Sequence, residues 1–517
     1  MDRAPSFRKM QSVLDPYGRC AIRNALSGIA LACLSVAVGC GTGGPTPPPP
    51  PPVKAFSNAS LTGSYAYTLG GSDLSPVGGT PYVRSGAFVA DGNGNITSGE
   101  DDFVQADSLT TTKITGSYAV AGDGTGMLTL ILGEEQLNLA ITMGTVSQVD
   151  MIEFDATATG AGQAVQQDTS ALSSTPTGTY VFRLHSYQPG VPSTGSVSAV
   201  GNMIMSGGVI DGNEDVVRFG TLNSVTITGA LTAPDSNGRG TATLTDSTGL
   251  TTNYVFYVVD ANTLNFLETD PGPLGTGIAD AQSGAPFSNL NLNNGFAFRS
   301  RGDTQTHLDG VNSVGAFASD GNGNITSGSY DAGQDGVPTL NASLTGTYSV
   351  DTSGRVTITL NPTLNSQTLS PIQEVAWMVS SSRALFLVDV PGIAEDGEMD
   401  QQQGGPFSSS SLNGAYAFEM FGYDSQSPVE VDRVGSMTLS GSSTLNLTNY
   451  FVNRTGSRAQ TNAAGTYAVS ANGRVSGSVN GVTNDLVLYL TSGSSGFLLL
   501  GDTGAEVSGS ITQQVVP

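Results

Sequence analysis

The chain has 517 residues, of which 68 are Gly and only 12% are charged. Lys and Arg number 19 against 43 Asp and Glu, a formal net charge of −24. Phosphate binding needs clustered cations, so this balance excludes a nucleic-acid partner. Two histidines, His185 and His307, leave little material for a transition-metal centre or a nucleophile–base relay, and no cofactor is expected.

Residues 1–40 read as a lipoprotein signal peptide. Arg3, Arg8, Lys9, Arg19 and Arg23 precede an uncharged apolar run from Ala25 to Val38, which is too short to span a bilayer comfortably. The run ends in Ala37-Val38-Gly39-Cys40, small residues before a cysteine, which resembles a bacterial lipobox. Cys33 would leave the apolar run too short, so Cys40 is the lipidation site. Two acyl chains at one site anchor durably where a single chain is marginal. The resemblance to Gram-negative lipoproteins, with Gly41 after the cysteine, implies the cell envelope and the outer membrane; an ordinary secretory signal is the alternative. All three cysteines lie at or before Cys40, so the mature chain folds without an internal disulfide. Residues 41–55 form a Gly/Pro-rich linker, and its run Pro47 to Pro52 makes a stiff polyproline stalk, with flanking residues roughly 25 Å long.

Beyond the linker the chain repeats itself. A glycine followed by alternating aromatics recurs as Gly63-x-Tyr65-x-Tyr67, Gly178-x-Tyr180-x-Phe182, Gly295-Phe296-x-Phe298 and Gly414-x-Tyr416-x-Phe418. About fifty residues later in each copy comes a second landmark: Tyr118, Leu231, Tyr348 and Tyr467, each two residues after a glycine. A period this long suits whole domains, not a solenoid. The copies are set at 56–168, 172–283, 287–403 and 407–517. No useful window has 3.6-residue periodicity, and alternation with turn signals makes every copy β. In the third copy strands are expected at 295–299, 314–319, 324–330, 344–350, 355–360, 374–379, 384–388 and near 397–402. Short turns between eight successive strands predict an antiparallel up-and-down meander closing into a barrel, with a β-sandwich as the alternative.

The opening strand and eight-strand meander resemble the lipocalin and avidin barrels. The phrase Gly-Ala-Phe-x-x-Asp-Gly-Asn-Gly-Asn, at 86–95 and again at 315–324, is similar to that of acidic repeat lipoproteins exported by environmental bacteria. Neither resemblance implies a particular activity.

Asp91, Asn93 and Asn95, with Asp102 at the twelfth position, and likewise Asp320, Asn322, Asn324 and Asp331, echo half of a calcium loop. Ile96 and Ile325 occupy the position where such a loop needs Gly, and Asn-Gly and Asp-Gly are what a tight hairpin demands, so a hairpin is the preferred reading. The paired aromatics Tyr65/Tyr67, Tyr180/Phe182, Phe296/Phe298 and Tyr416/Phe418 share a strand face. They read as core, with a ligand platform at a barrel mouth as the functional alternative. Trp377 reads as core or interface, and Arg301-Gly302-Asp303 as a chance tripeptide in a loop. No nucleophile elbow, zinc motif or phosphate loop occurs. The expected protein is an envelope-anchored binding, adhesion or structural lipoprotein without a catalytic site, its partners being the membrane and glycans or a cell-surface protein. The rivals are a polysaccharide hydrolase and a carrier of small apolar ligands inside the barrels. Mutual repulsion of acidic domains predicts an elongated string.

Overall fold

The computed structural model describes residues 55–517 except 75–79, 106, 188–194, 219, 305–309, 425–428 and 481–482. Cys40, nearly all of the Gly/Pro-rich linker and His307 lie outside the described residues. Four antiparallel barrels follow one another, spanning 62–166, 178–281, 293–401 and 413–513. Barrels 1, 2 and 4 each close through eight strands in sequence order. Barrel 3 closes too, with one additional two-residue strand, Gln367–Thr368, attached to its fifth strand. The sandwich alternative is thereby set aside. All eight strands foreseen for the third copy exist, but several run further than the apolar pattern suggested, as with Asn293–Asp303 and Val337–Val350. Their added residues are largely polar, and period-two hydrophobicity does not register them.

Each barrel keeps a separate apolar core. The opening aromatics fill it, and the second strand makes room for them. Gly86, Gly201 and Gly315 face Tyr67, Phe182 and Phe298 across the first strand pair. A Cβ on any of these glycines would come within 2.8 Å of the facing ring. The second landmark closes one barrel end. Tyr118, Tyr348 and Tyr467 donate their hydroxyls to the carbonyls of Leu61, Leu292 and Leu412 at 2.6, 2.7 and 3.0 Å. Those carbonyls follow the helical turns Asn58–Ser60, Asn289–Asn291 and Ser409–Ser411. Copy two has Leu231 at that place, and Ala171 and Leu172 join its core instead.

The four barrels do not form a string. Strands one and two of each barrel pack on strands six to eight of the next, and barrel 4 makes the same contact with barrel 1. This is a head-to-tail contact whose rotation closes after four copies, a ring with approximate fourfold symmetry in one chain. A glutamine after each eighth strand marks the symmetry. Gln167, Gln282, Gln402 and Gln514 donate Nε2 to carbonyls of the following barrel, Val258, Met378, Leu490 and Met143, at 2.7, 2.8, 2.7 and 3.0 Å. The expected elongation fails because the acids on the facing surfaces are matched by cations. Small apolar clusters such as Val181, Val200, Trp377 and Leu387 lie between neighbours, and half-buried arginines neutralise the buried acids there. Burial of matched surface outweighs repulsion between charges exposed elsewhere.

Candidate functional site: an axial cavity

Alternation sends every second residue of a barrel's opening strand outward. In this ring those residues, and their counterparts on the eighth strand, face the common axis. They line a cavity of about 610 Å³ to which all four barrels contribute. Here the copies stop being alike. The retained aromatics Tyr67, Phe182, Phe298 and Phe418 are followed by Thr68, Arg183, Arg299 and Glu419. Two residues further stand Gly70, His185, Arg301 and Phe421. The eighth strand of barrel 3 adds Asp396, Glu398 and Asp400. From residue 55 onward the chain has twelve arginines, and four of them, Arg183, Arg299, Arg301 and Arg383, reach this one cavity.

The wall charges are matched to one another. Arg183 Nη1 lies 2.5 Å from Asp396 Oδ1, and His185 Nδ1 lies 2.7 Å from Asp396 Oδ2. Arg299 Nε meets Glu398 at 2.7 Å and Arg383 Nη2 meets the same carboxylate at 2.7 Å. Arg383 also reaches Asp400 and Asp280 at 3.1 and 3.3 Å. Burial alone would push Asp396 up, but the charges of Arg183 and His185 outweigh it and hold it at about 2. Burial lowers His185, yet Asp396 and Asp303 carry it to about 10. Glu419 is pushed up to about 7 by burial and by Asp150, against the pull of Arg299. Arg301 stacks over Phe421 at 4.2 Å and Arg299 over Phe497 at 5.3 Å.

His185, Ser198 and Asp396 sit together, but not as a catalytic relay. Ser198 Oγ is 3.1 Å from Nδ1, on the carboxylate side of the ring, while Nε2 faces Asp303 at 3.5 Å. A triad needs the hydroxyl on the nitrogen opposite the carboxylate, and a base that is neutral when it acts. An imidazole clamped between two acids meets neither condition.

The residues singled out in the sequence fall elsewhere. All eight opening aromatics, Tyr65, Tyr67, Tyr180, Phe182, Phe296, Phe298, Tyr416 and Phe418, are at most 2% exposed and belong to barrel cores. None of them lines the axial cavity. Asp91 closes a hairpin: its Oδ1 accepts from the backbone N–H of Asn93 and Asn95 at 2.7 and 3.0 Å, and its Oδ2 from the Asn95 amide. Asp320 does the same with Asn322 and Asn324. Asp102 stands seven residues along the strand from Asn95, about 23 Å away at strand rise, too far to complete one loop. It receives Arg239 and Tyr257 of barrel 2, as Asp331 receives Arg474 and Tyr489 of barrel 4. Among the described residues no group of three or more His, Cys, Asp or Glu is placed to hold a metal. Arg301-Gly302-Asp303 is not in a loop. It ends a strand, with Asp303 3% exposed and bonded to Ser196. Trp377 is an interface residue: its Nε1 donates to Asp215 of barrel 2 at 2.9 Å.

The axial residues escaped sequence reasoning because they are single outward positions one and three residues after the second aromatic, where a strand pattern tolerates any side chain. The available signal was divergence at those positions across aligned copies, together with the scarcity of arginine elsewhere.

No family model matches the chain, and no curated protein matches it. Among solved structures, intact Ap-TbpB (N and C lobes) matches at 7% identity over 67% of this chain and 77% of that chain, with a TM-score of 0.19. A score that low carries no argument about the ring or its cavity.

Proposed function

We propose that the protein is an extracytoplasmic binding lipoprotein, held to the outer membrane through Cys40, whose ligand site is the axial cavity of the ring. One observation carries the reading. Four copies that retain the same core and the same connecting glutamine diverge at the positions facing the axis, and charge and aromatic side chains gather there. A cavity of about 610 Å³ is in the size range of small-molecule sites, about 300–1,000 Å³. The reading is of a binder and not of a hydrolase. Its only axial histidine among the described residues is pinned as a cation, and Asp396, Glu398 and Asp400 of the wall are bonded to arginines. The lipobox and the repeat-lipoprotein resemblance support the anchored location.

The test is a ligand screen on the full-length protein in detergent, with Thr68→Trp as the control. Thr68 points out of its barrel, so the bulky ring projects into the cavity and obstructs it while leaving the four cores intact. The expected result is a ligand retained by the parent and lost by Thr68→Trp. A ligand bound equally by both overturns the axial site.

A further inference from the structure

We infer that the axial cavity takes a neutral, hydroxyl-rich ligand with the chemistry of an oligosaccharide, and not an anion or a cation; this rests on the reading of the cavity as the binding site. The charges of the wall decide it first. Arg183, Arg299 and Arg383 and the imidazolium of His185 already hold Asp396, Glu398 and Asp400 at 2.5 to 3.1 Å. An anion entering this wall meets arginines whose charge is already answered, and must sit beside fixed carboxylates. A cation meets the converse. Either would have to compete with a bonded partner for the same charge and leave that partner unmatched.

A hydroxyl has no such conflict. It donates and accepts at once, so it joins bonded charge pairs without displacing either member. The wall also supplies hydroxyls of its own from barrels 1, 2 and 4: Thr68, Thr276, Ser508 and Ser510. Apolar ring faces complete the set. Phe421, Tyr187 and Tyr423 line the cavity and are half-buried. Tyr187 and Tyr423 hold the same repeat position, five residues after Phe182 and Phe418, on barrels that stand diagonally across the ring. Flat aromatic faces beside a dense field of neutralised polar groups suit a molecule with C–H faces and hydroxyl edges. An amino acid or a nucleotide is not so built.

Titration calorimetry of the full-length protein tests this with three sets of probes: neutral hexose trisaccharides (maltotriose, cellotriose, and N-acetylglucosamine trimer), the trimer of galacturonate, and the amino acids glutamate and lysine. The expected result is saturable heat with at least one neutral trimer. Galacturonate trimer and both amino acids should bind at least tenfold more weakly. Phe421→Leu should weaken the neutral trimer about tenfold, and Thr68→Trp should abolish it. Tighter binding of a charged probe that Thr68→Trp abolishes overturns the ligand class and leaves the axial site standing. Trimer binding untouched by Thr68→Trp overturns the axial site itself. No heat from any neutral trimer up to millimolar concentration overturns the inference.

Discussion

Three of the four contacts in the ring are built around a buried aspartate paired with a half-buried arginine, and the fourth is not. At the junctions 1–2, 2–3 and 3–4 an aspartate on the third strand of one barrel receives a two-pronged arginine from the next. Arg239 meets Asp102 at 2.7 and 2.9 Å, Arg355 meets Asp215 at 2.8 and 2.7 Å, and Arg474 meets Asp331 at 2.7 and 2.6 Å. The residue paired across the sheet from each arginine adds a third bond to the carboxylate: Tyr257, Trp377 and Tyr489, at 2.6, 2.9 and 2.5 Å. Where barrel 4 meets barrel 1, Phe451 takes the aspartate's place, Thr125 the arginine's and Thr142 the aromatic donor's. Phe451 packs edge-on against Phe154 at 5.3 Å, with Val434, Ile152 and Ala140 around it.

The lesson is that the set changes as a whole. A carboxylate buried without its arginine, or an arginine without its carboxylate, costs far more than either complete arrangement, so intermediates are selected against. A buried ion pair also demands one geometry, whereas an apolar contact tolerates sliding. At the seam that registry falls to side-chain amides: Gln514 bonds Met143 and Asp123, and Asn453 Nδ2 bonds the carbonyls of Glu153 and Ala158 at 2.8 and 2.9 Å.

A large effect is expected from Asp331→Ala, which leaves Arg474 without its carboxylate at a buried junction. A loss of about 2–3 kcal/mol, below that of a fully buried pair because Arg474 keeps some contact with water, is expected from denaturant unfolding. Replacing Asp331, Arg474 and Tyr489 together by Phe, Thr and Thr, the residues found at the seam, should recover much of that loss. Recovery no better than Asp331→Ala alone breaks the idea that the two sets are interchangeable. Phe451→Ala should cost about 3 kcal/mol as a core-like truncation, and hydrogen exchange should rise first in strands six to eight of barrel 1. Exchange rising equally at all four junctions would erase the distinction drawn here.

The seam should also be the pH-sensitive contact. Asp432 of barrel 4 lies against barrel 1, bonded to Thr159; burial pushes it up to about 7, against the pull of that bond, the Gly160 amide, Arg301 and Arg433. Its folded pKa stands above the ordinary carboxylate value. Its contribution is therefore complete below about pH 4 and is lost as pH rises through 7. Protection factors at the seam, that is, exchange corrected for its intrinsic base-catalysed rise, should fall between pH 6 and 8, and Asp432→Asn should flatten that response; seam protection indifferent to pH in the parent contradicts it. Gln514→Ala should cost least, about 1–2 kcal/mol for the two hydrogen bonds its Nε2 donates across the seam and the one its Oε1 accepts from Ser436. Small-angle scattering of that variant should still report a compact particle.

The unit of the fold was legible in the chain. Alternation, Asn-Gly turns and the repeated Gly-x-aromatic strand point to four barrels, and the core aromatics lie where the pattern puts them. The hairpin at Asp91 was legible as well, since turn chemistry is local. The axis and the junctions were not. Arg183, Arg299, Asp102 and Asp215 are polar residues on the outward face of a strand, and water or a neighbouring barrel suits such a residue equally well in a one-dimensional pattern. Arg301-Gly302-Asp303 misled for the same reason: its polarity suggested a loop, but it lies against the axis.

By itself, then, the order of residues determined what each repeat does with its own inward face, because period-two hydrophobicity and turn propensity act within a few residues. Only the tertiary structure decided that the repeats close head-to-tail around a cavity. That outcome depends on outward residues more than a hundred positions apart meeting as complementary sets, and no local pattern records which surfaces will meet.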